Sequence, residues 1–142
     1  MKFKNDHDRK ELLEALTINM NEEFRATLQY VCHRILAKDK KAVLAESFKS
    51  AALDEMSHIL FFSDLITKYD GTIQLGEWDT DRSQDIREML KKDVQLEQEA
   101  KKRYSSQIDL FKDYPEVQTL LKSVLADEED HEEEFTRYLS DC

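Results

Sequence analysis

The chain has 142 residues, a net charge of −10, two Gly, one Pro and two Cys, where average usage would put roughly seventeen Gly and Pro residues in this length. Sheets and tight loops need those residues, so long helices joined by few connections are expected. The longest runs free of Asp, Glu, Lys and Arg are 26–33 and 56–63, far short of the ~20 apolar residues of a membrane span. The opening MKFKNDHDRK lacks the apolar segment of a secretory signal, and the acidic balance argues against a nucleic-acid backbone as partner. A single helical domain over 1–142 in the cytoplasm is therefore expected. Cys32 and Cys142 lack CxxC spacing and read as reduced thiols.

The periodicity predicts α1 over about 7–37, α2 over about 41–69, α3 over about 82–112 and α4 over about 115–140. Asp39 is the expected cap of α2; Asp81 with Gln84, and Asp113 with Glu116 beside Pro115, make capping-box patterns for α3 and α4. The α1–α2 and α3–α4 connections are short, so each pair should form an antiparallel hairpin. Between the hairpins lies DGTIQLGEWDTD, residues 70–81. At ~3.3–3.6 Å per residue it reaches about 40 Å, the length of a helix of about 28 residues. It can therefore run the length of an all-α four-helix bundle and set α2 parallel to α3, although the same loop also permits an up-down-up-down bundle.

Each helix carries a carboxylate on its apolar seam. Helix α2 reads Leu44, Phe48, Ala51, Glu55, His58, Phe62, Leu65, Tyr69, and α4 reads Val117, Leu121, Val124, Glu128, His131, Phe135, Tyr138, both in steps of four and three. Helix α1 offers Leu16, Met20, Glu23, Thr27, Tyr30, and α3 offers Asp93, Glu97, Ala100, Tyr104, Phe111. Four carboxylates at one level of a dry core would drive the helices apart unless cations or protons compensate them. Oxygen with imidazole and no thiolate suits iron or manganese, and two divalent cations would neutralise four carboxylates.

The hairpin is also written twice. ExxAxxxY occurs at Glu23, Ala26, Tyr30 and again at Glu97, Ala100, Tyr104; DExxH occurs at Asp54, Glu55, His58 and again at Asp127, Glu128, His131. One ExxH in a chain with sixteen Glu is a common accident, but two on core seams in register with two further core carboxylates define a metal centre. Tyr30 and Tyr104, two turns from Glu23 and Glu97, can hydrogen-bond a liganding carboxylate or serve as ordinary buried tyrosines. Asp54 and Asp127 can orient the His of the opposite hairpin or be solvated acids. The run DEEDHEEE reads as a wet helix face on which Glu132 could draw cations inward. His33 falls off the ligand face and His7 near the helix start, and neither is a candidate.

This set of a Glu on α1, ExxH on α2, a Glu on α3 and ExxH on α4 resembles the ferritin-like di-iron carboxylate superfamily over essentially the whole chain. The segments NEEFRATLQY, LDEMSHIL, DVQLEQEA and LADEEDH are most similar to those of bacterioferritins. The resemblance implies a ferroxidase centre in which Glu23, Glu55, His58, Glu97, Glu128 and His131 hold two irons, with Glu55 and Glu128 bridging. Fe²⁺ would be oxidised there by O₂ or H₂O₂ for iron detoxification or storage. It further matches Met56 to the family's axial haem methionine, a position that also suits interface packing. Bacterioferritins continue into a fifth helix that lines the axes of a shell, whereas this sequence ends at Cys142, so a bundle with no fifth helix is expected; the apolar helix face around Met56 and Leu53 predicts at least a homodimer. Rubrerythrin-like peroxidases and other di-iron oxidases are the alternative. Rubrerythrins resemble the chain in helix layout but carry a further Glu where this chain has Ala100, and usually CxxC pairs that it lacks.

Overall fold

The computed structural model describes residues 3–142; Met1 and Lys2 of the opening stretch lie outside it. Four helices follow one another: α1 Asp6–Ala37, α2 Ala42–Lys68, α3 Ile86–Leu110 and α4 Pro115–Ser140. Among the described residues there is no strand, and no helix is long and apolar enough to cross a membrane.

The apolar seams close into two clusters separated by a polar layer. Along α1, Leu12, Leu16 and Met20 belong to the first cluster, Glu23 to the layer, and Ala26 and Tyr30 to the second. Helix α4 runs in that order, from Val117 and Leu121 through Glu128 to Phe135, while α2 and α3 run in reverse, from Phe48 and from Met89 to Phe62 and Tyr104. Helices α2 and α3 are thus parallel, and the chain between them must return along the bundle.

That return follows α1 from end to end. Arg9 holds the carbonyls of Tyr69 and Asp70 at 3.0 and 2.9 Å. Asn21 donates to the Gln74 carbonyl and accepts from the Gly76 amide at 2.9 and 2.6 Å. Trp78 stacks on Phe24 with 5.1 Å between ring centroids, Asp81 meets His33 at 3.0 Å, and Lys40 donates to the Gln84 carbonyl at 2.6 Å.

The caps differ from expectation. Helix α2 starts at Ala42 after Lys41 with no side-chain cap, because Asp39 lies too far upstream to reach the free amides of the first turn. Helix α3 starts later than expected and is capped by Asp85, which accepts from the Glu88 amide at 3.2 Å; Asp81 instead accepts from Ser83 and contacts His33. Helix α4 follows Tyr114 with Pro115 in its first turn and no side-chain cap. Its two expected capping acids are taken by lysines, Asp113 by Lys4 and Glu116 by Lys68.

Helix α2 ends on Asp70 in the left-handed region, φ 59°, after which the Gly71 amide reaches back to the Ile66 carbonyl at 2.8 Å. A Cβ on Gly71 would lie 2.7 Å from Leu13 Cδ2 and 3.0 Å from the Ile66 carbonyl oxygen. Exchanging glycine at these neighbouring positions should therefore act in opposite directions. Asp70→Gly is expected to raise stability by about 0.5–1 kcal/mol and Gly71→Ala to lower it by about 1–3 kcal/mol, as read from denaturant midpoints of the two variants.

Candidate metal centre

The polar layer is built by six side chains, none more than 5% exposed: Glu23, Glu55, His58, Glu97, Glu128 and His131. One atom each from Glu23, Glu55, His58 and Glu128, and one each from Glu55, Glu97, Glu128 and His131, form two groups whose donor atoms lie within 4.8 Å of one another. Glu55 and Glu128 belong to both, as two carboxylates between two ions must. Inside each hairpin the helical spacing of three places His Nδ1 near its own Glu, 3.6 Å for His58–Glu55 and 3.4 Å for His131–Glu128.

Buried polar atoms ordinarily find hydrogen-bond partners, yet Glu23 Oε2, both oxygens of Glu55, His58 Nδ1, Glu97 Oε2, Glu128 Oε1 and His131 Nδ1 have none. They converge on one space. The outward-facing atoms of both histidines, Glu23 and Glu97 are by contrast engaged. His58 Nε2 meets Asp127 and His131 Nε2 meets Asp54, each at 2.8 Å, which fixes each ring with Nε2 outward and Nδ1 facing the layer. Tyr30 donates to Glu97 and Tyr104 donates to Glu23. Hydroxyl and carboxylate thus pair across the two hairpins, not along one helix.

The charges show what the layer lacks. Burial and the neighbouring carboxylates hold Glu55 and Glu97 well above the ordinary carboxylate range, whereas at Glu23 the effect of burial is outweighed by the adjoining Glu55 and His58 and the carboxyl stays low. Burial lowers both histidines, but the facing carboxylates, with Glu23 and Asp127 foremost for His58 and Glu128 and Glu97 for His131, raise them to about 9 and about 12. Burial and the adjacent glutamates likewise push the Tyr30 and Tyr104 hydroxyls far up, so both remain donors. The layer gathers negative charge that protons or cations must offset, and its donor set of four carboxylates and two imidazoles fits two divalent ions of the iron or manganese kind.

Met56 is half-exposed on the outer side of α2, away from these residues. Ala100, at the position of the extra rubrerythrin Glu, packs in the apolar core. Sequence reasoning missed a further set of buried polar residues. His33, set aside above, is fully buried with Nδ1 2.5 Å from Asp93 and Nε2 3.0 Å from Asp81, while Gln29 donates to Asp93 at 2.7 Å. On the other half, buried Asn19 and Gln107 exchange hydrogen bonds at 2.6 and 3.0 Å, and Arg103 Nε donates to Asn19 at 3.3 Å. The available signal was the repeat itself, since Asn19 and Asp93 both stand four residues before the α1 and α3 glutamates.

A model of the ferritin-like domain matches residues 13–142. The chain belongs to the ferritin-like family. Its fold is similar to that of a ferritin-like di-iron-carboxylate protein of Bacillus anthracis strain Ames, at 31% identity over 95% of this chain and 99% of that one with a TM-score of 0.84. It is also similar to the bacterioferritin of Rhodobacter capsulatus, solved with a metal-free dinuclear site and a haem iron, at 25% identity over 97% and 87% of the two chains and a TM-score of 0.85. The bacterioferritin of Desulfovibrio desulfuricans, whose di-iron site is described in different catalytic states, shares the fold at 20% identity and a TM-score of 0.89 over 98% and 84% of the chains. No curated protein matches the sequence.

The raised pKa values of the two histidines give the metal-free bundle a definite pH response. A group whose folded pKa exceeds its unfolded value stabilises the fold fully below the unfolded value and loses that contribution as pH rises through the folded one. For His58 the loss runs from 6.5 to about 9, and for His131 it continues toward about 12. With chelator present, the melting temperature should fall steadily between pH 6.5 and 9; saturating Mn²⁺ should flatten or reverse the trend, because the ions replace the protons. Calorimetric melts across that range measure both.

Proposed function

We propose that the protein oxidises Fe²⁺ at a two-ion centre, with Glu23, Glu55 and His58 holding one ion, Glu97, Glu128 and His131 the other, and Glu55 and Glu128 bridging. The single observation that carries this reading is the set of seven unpartnered, buried carboxylate and imidazole atoms converging from all four helices. Iron held there would supply one-electron chemistry between the ferrous and ferric states with dioxygen or peroxide as the acceptor; in balance, two Fe²⁺, one O₂ and two protons would give two Fe³⁺ and H₂O₂. The chain's part is to fix the charge. Four carboxylates neutralise two divalent ions and bind the trivalent product more strongly, which favours oxidation electrostatically. Asp54 and Asp127 keep both Nδ1 atoms free of protons when ions are bound, and the tyrosines hold Glu23 and Glu97 in place. Manganese satisfies the same donors.

We further propose that two copies associate through the first hairpin. Leu28, Val31 and Ile35 on α1 and Leu53, Met56 and Leu60 on α2 are exposed in two stripes of identical spacing. Their counterparts in the second hairpin are Lys102, Ser105, Asp109, Ala126, Glu129 and Glu133, so only one of two equivalent faces is apolar. A self-complementary patch of that kind closes into a twofold dimer. Met56 lies within it, and we assign the thioether to packing between copies; a haem held there would show as a strong visible absorption band in the purified protein.

Iron oxidation is tested by adding about two Fe²⁺ per chain in air. The parent should give ferric absorbance at least tenfold faster than buffer, and Glu23→Ala and Glu128→Ala should each lose the rapid phase. Parent-like rates in both variants would overturn the assignment. In chelator, Glu55→Gln should melt at or above the parent temperature, since the amide stays neutral at a place where the carboxyl must otherwise hold a proton among like charges. It should gain much less from Mn²⁺ than the ~2.7 kcal/mol expected of the parent at a hundred times its Kd. Light scattering at micromolar concentration should show a dimer or larger, and Leu60→Lys should shift it toward monomer.

A further inference from the structure

The two halves of the centre are duplicates in their liganding residues, but the buried groups behind them are not. Behind Tyr104, which donates to Glu23, lie the neutral amides Asn19 and Gln107 and the guanidinium of Arg103, 5.0 Å from the Tyr104 ring centroid. Behind Tyr30, which donates to Glu97, the same three repeat positions hold Asp93, His33 and Gln29, and Asp81 of the crossover is added. The hydrogen-bond pattern is the same on both sides: the residue before each tyrosine donates to the acceptor four residues ahead of the α1 or α3 glutamate, and that acceptor also bonds the residue three beyond the tyrosine.

Only the charge differs. The Arg103 triad carries +1. The His33 triad carries −1 together with Asp81, whichever of His33 and Asp93 holds the shared proton. Other charged side chains near the layer are screened by water or already paired: Lys92, which lines a cavity with Asp81, and Glu99, which lines one with Arg103, are both exposed. Glu22 is paired with Arg25 at 3.3 Å on one side and Lys101 with Glu132 at 3.2 Å on the other, and Asp54 and Asp127 occupy equivalent places.

We infer that the two ion positions are inequivalent, and that the position of Glu97 and His131, backed by Asp81 and Asp93, binds a divalent cation first and more tightly than that of Glu23 and His58, backed by Arg103. Asp93, Asn19 and Arg103 act here as positioning and charge-setting residues that touch no ion. The inference rests on the reading of the layer as a two-ion centre. Two unit charges of opposite effect on a dication about 10 Å away, in a partly buried setting, separate the two affinities by about tenfold or more.

Titration of the chelator-stripped protein with Co²⁺, followed by visible absorption, should show one ion per chain bound before the second. A crystal grown with one Co²⁺ per chain should place it by anomalous scattering beside Glu97 and His131. Asp81→Asn, which removes the net negative charge while His33 and Asp93 keep their shared proton, should weaken the first step about tenfold. Arg103→Gln, at a half-buried position where folding is less at stake, should tighten the second step and bring the two together. Two indistinguishable steps, a first ion beside Glu23 and His58, or an Arg103→Gln variant with the parent's two affinities would overturn the inequivalence while leaving the two-ion centre intact. Absence of Co²⁺ binding in the parent would overturn the centre itself, and this inference with it.

Discussion

The structure depends on a charge problem placed deliberately at the centre of a bundle. An ionised carboxylate removed from water without a partner costs several kcal/mol even after relaxation, and four are gathered at one level with two imidazoles and hardly any exposure. Protons relieve part of the repulsion, which is why Glu55, Glu97 and both histidines hold theirs so tightly. The inward atoms nevertheless stay without partners. The two apolar clusters on either side of the layer, with Phe62 and Tyr104 in one and Tyr30 and Phe48 in the other, carry the folding energy that keeps those atoms together.

The connectivity serves the same end. Each hairpin presents a Glu and an ExxH to the polar layer, but the groups that orient them come from the other hairpin: Asp127 for His58, Asp54 for His131, Tyr104 for Glu23 and Tyr30 for Glu97. Neither hairpin alone completes half a site. The two must meet with α2 parallel to α3, and a short loop cannot join them so. The crossover fastened along α1 by Arg9, Asn21, Phe24, His33 and Lys40 is the physical consequence.

Most of this was legible in the sequence because seams and repeats are periodic. Glu55 and His58 stand out as polar residues in an apolar stripe, and DExxH written twice, in register with two further core glutamates, shows which carboxylates meet. The roles of Asp54 and Asp127 followed from their place beside each ligand. Helix caps were harder to read, since a cap depends on where the first turn begins. Asp39, Asp81 and Asp113 each have a residue type that caps well, yet Asp39 stands too far upstream of α2, Asp81 bonds Ser83 and His33, and Asp113 pairs with Lys4. His33 was read as off the ligand face, but its buried partners were not foreseen: the crossover covers that side of the helix and brings Asp81 onto it, and no periodicity reports where a loop will lie.

The duplication also separates what the centre requires from what it leaves free. Positions that touch the layer are the same in both halves: Glu, Ala and Tyr on α1 and α3, and Asp, Glu and His on α2 and α4. One step further out the halves differ, with Asn19, Arg103 and Gln107 against Asp93, Gln29 and His33. On the outer surface they differ completely, with Val31 and Met56 against Ser105 and Glu129. Identical donors are needed wherever a shared pair of ions must see the same coordination from two directions. Beyond that distance the constraint is only that buried polar groups be paired, which an amide pair meets as well as a His–Asp pair. Symmetry in the residues of the layer and asymmetry in their electrostatic background are therefore compatible, and a duplicated chain can keep one buried set of donors while giving its two halves different charge and its two faces different polarity.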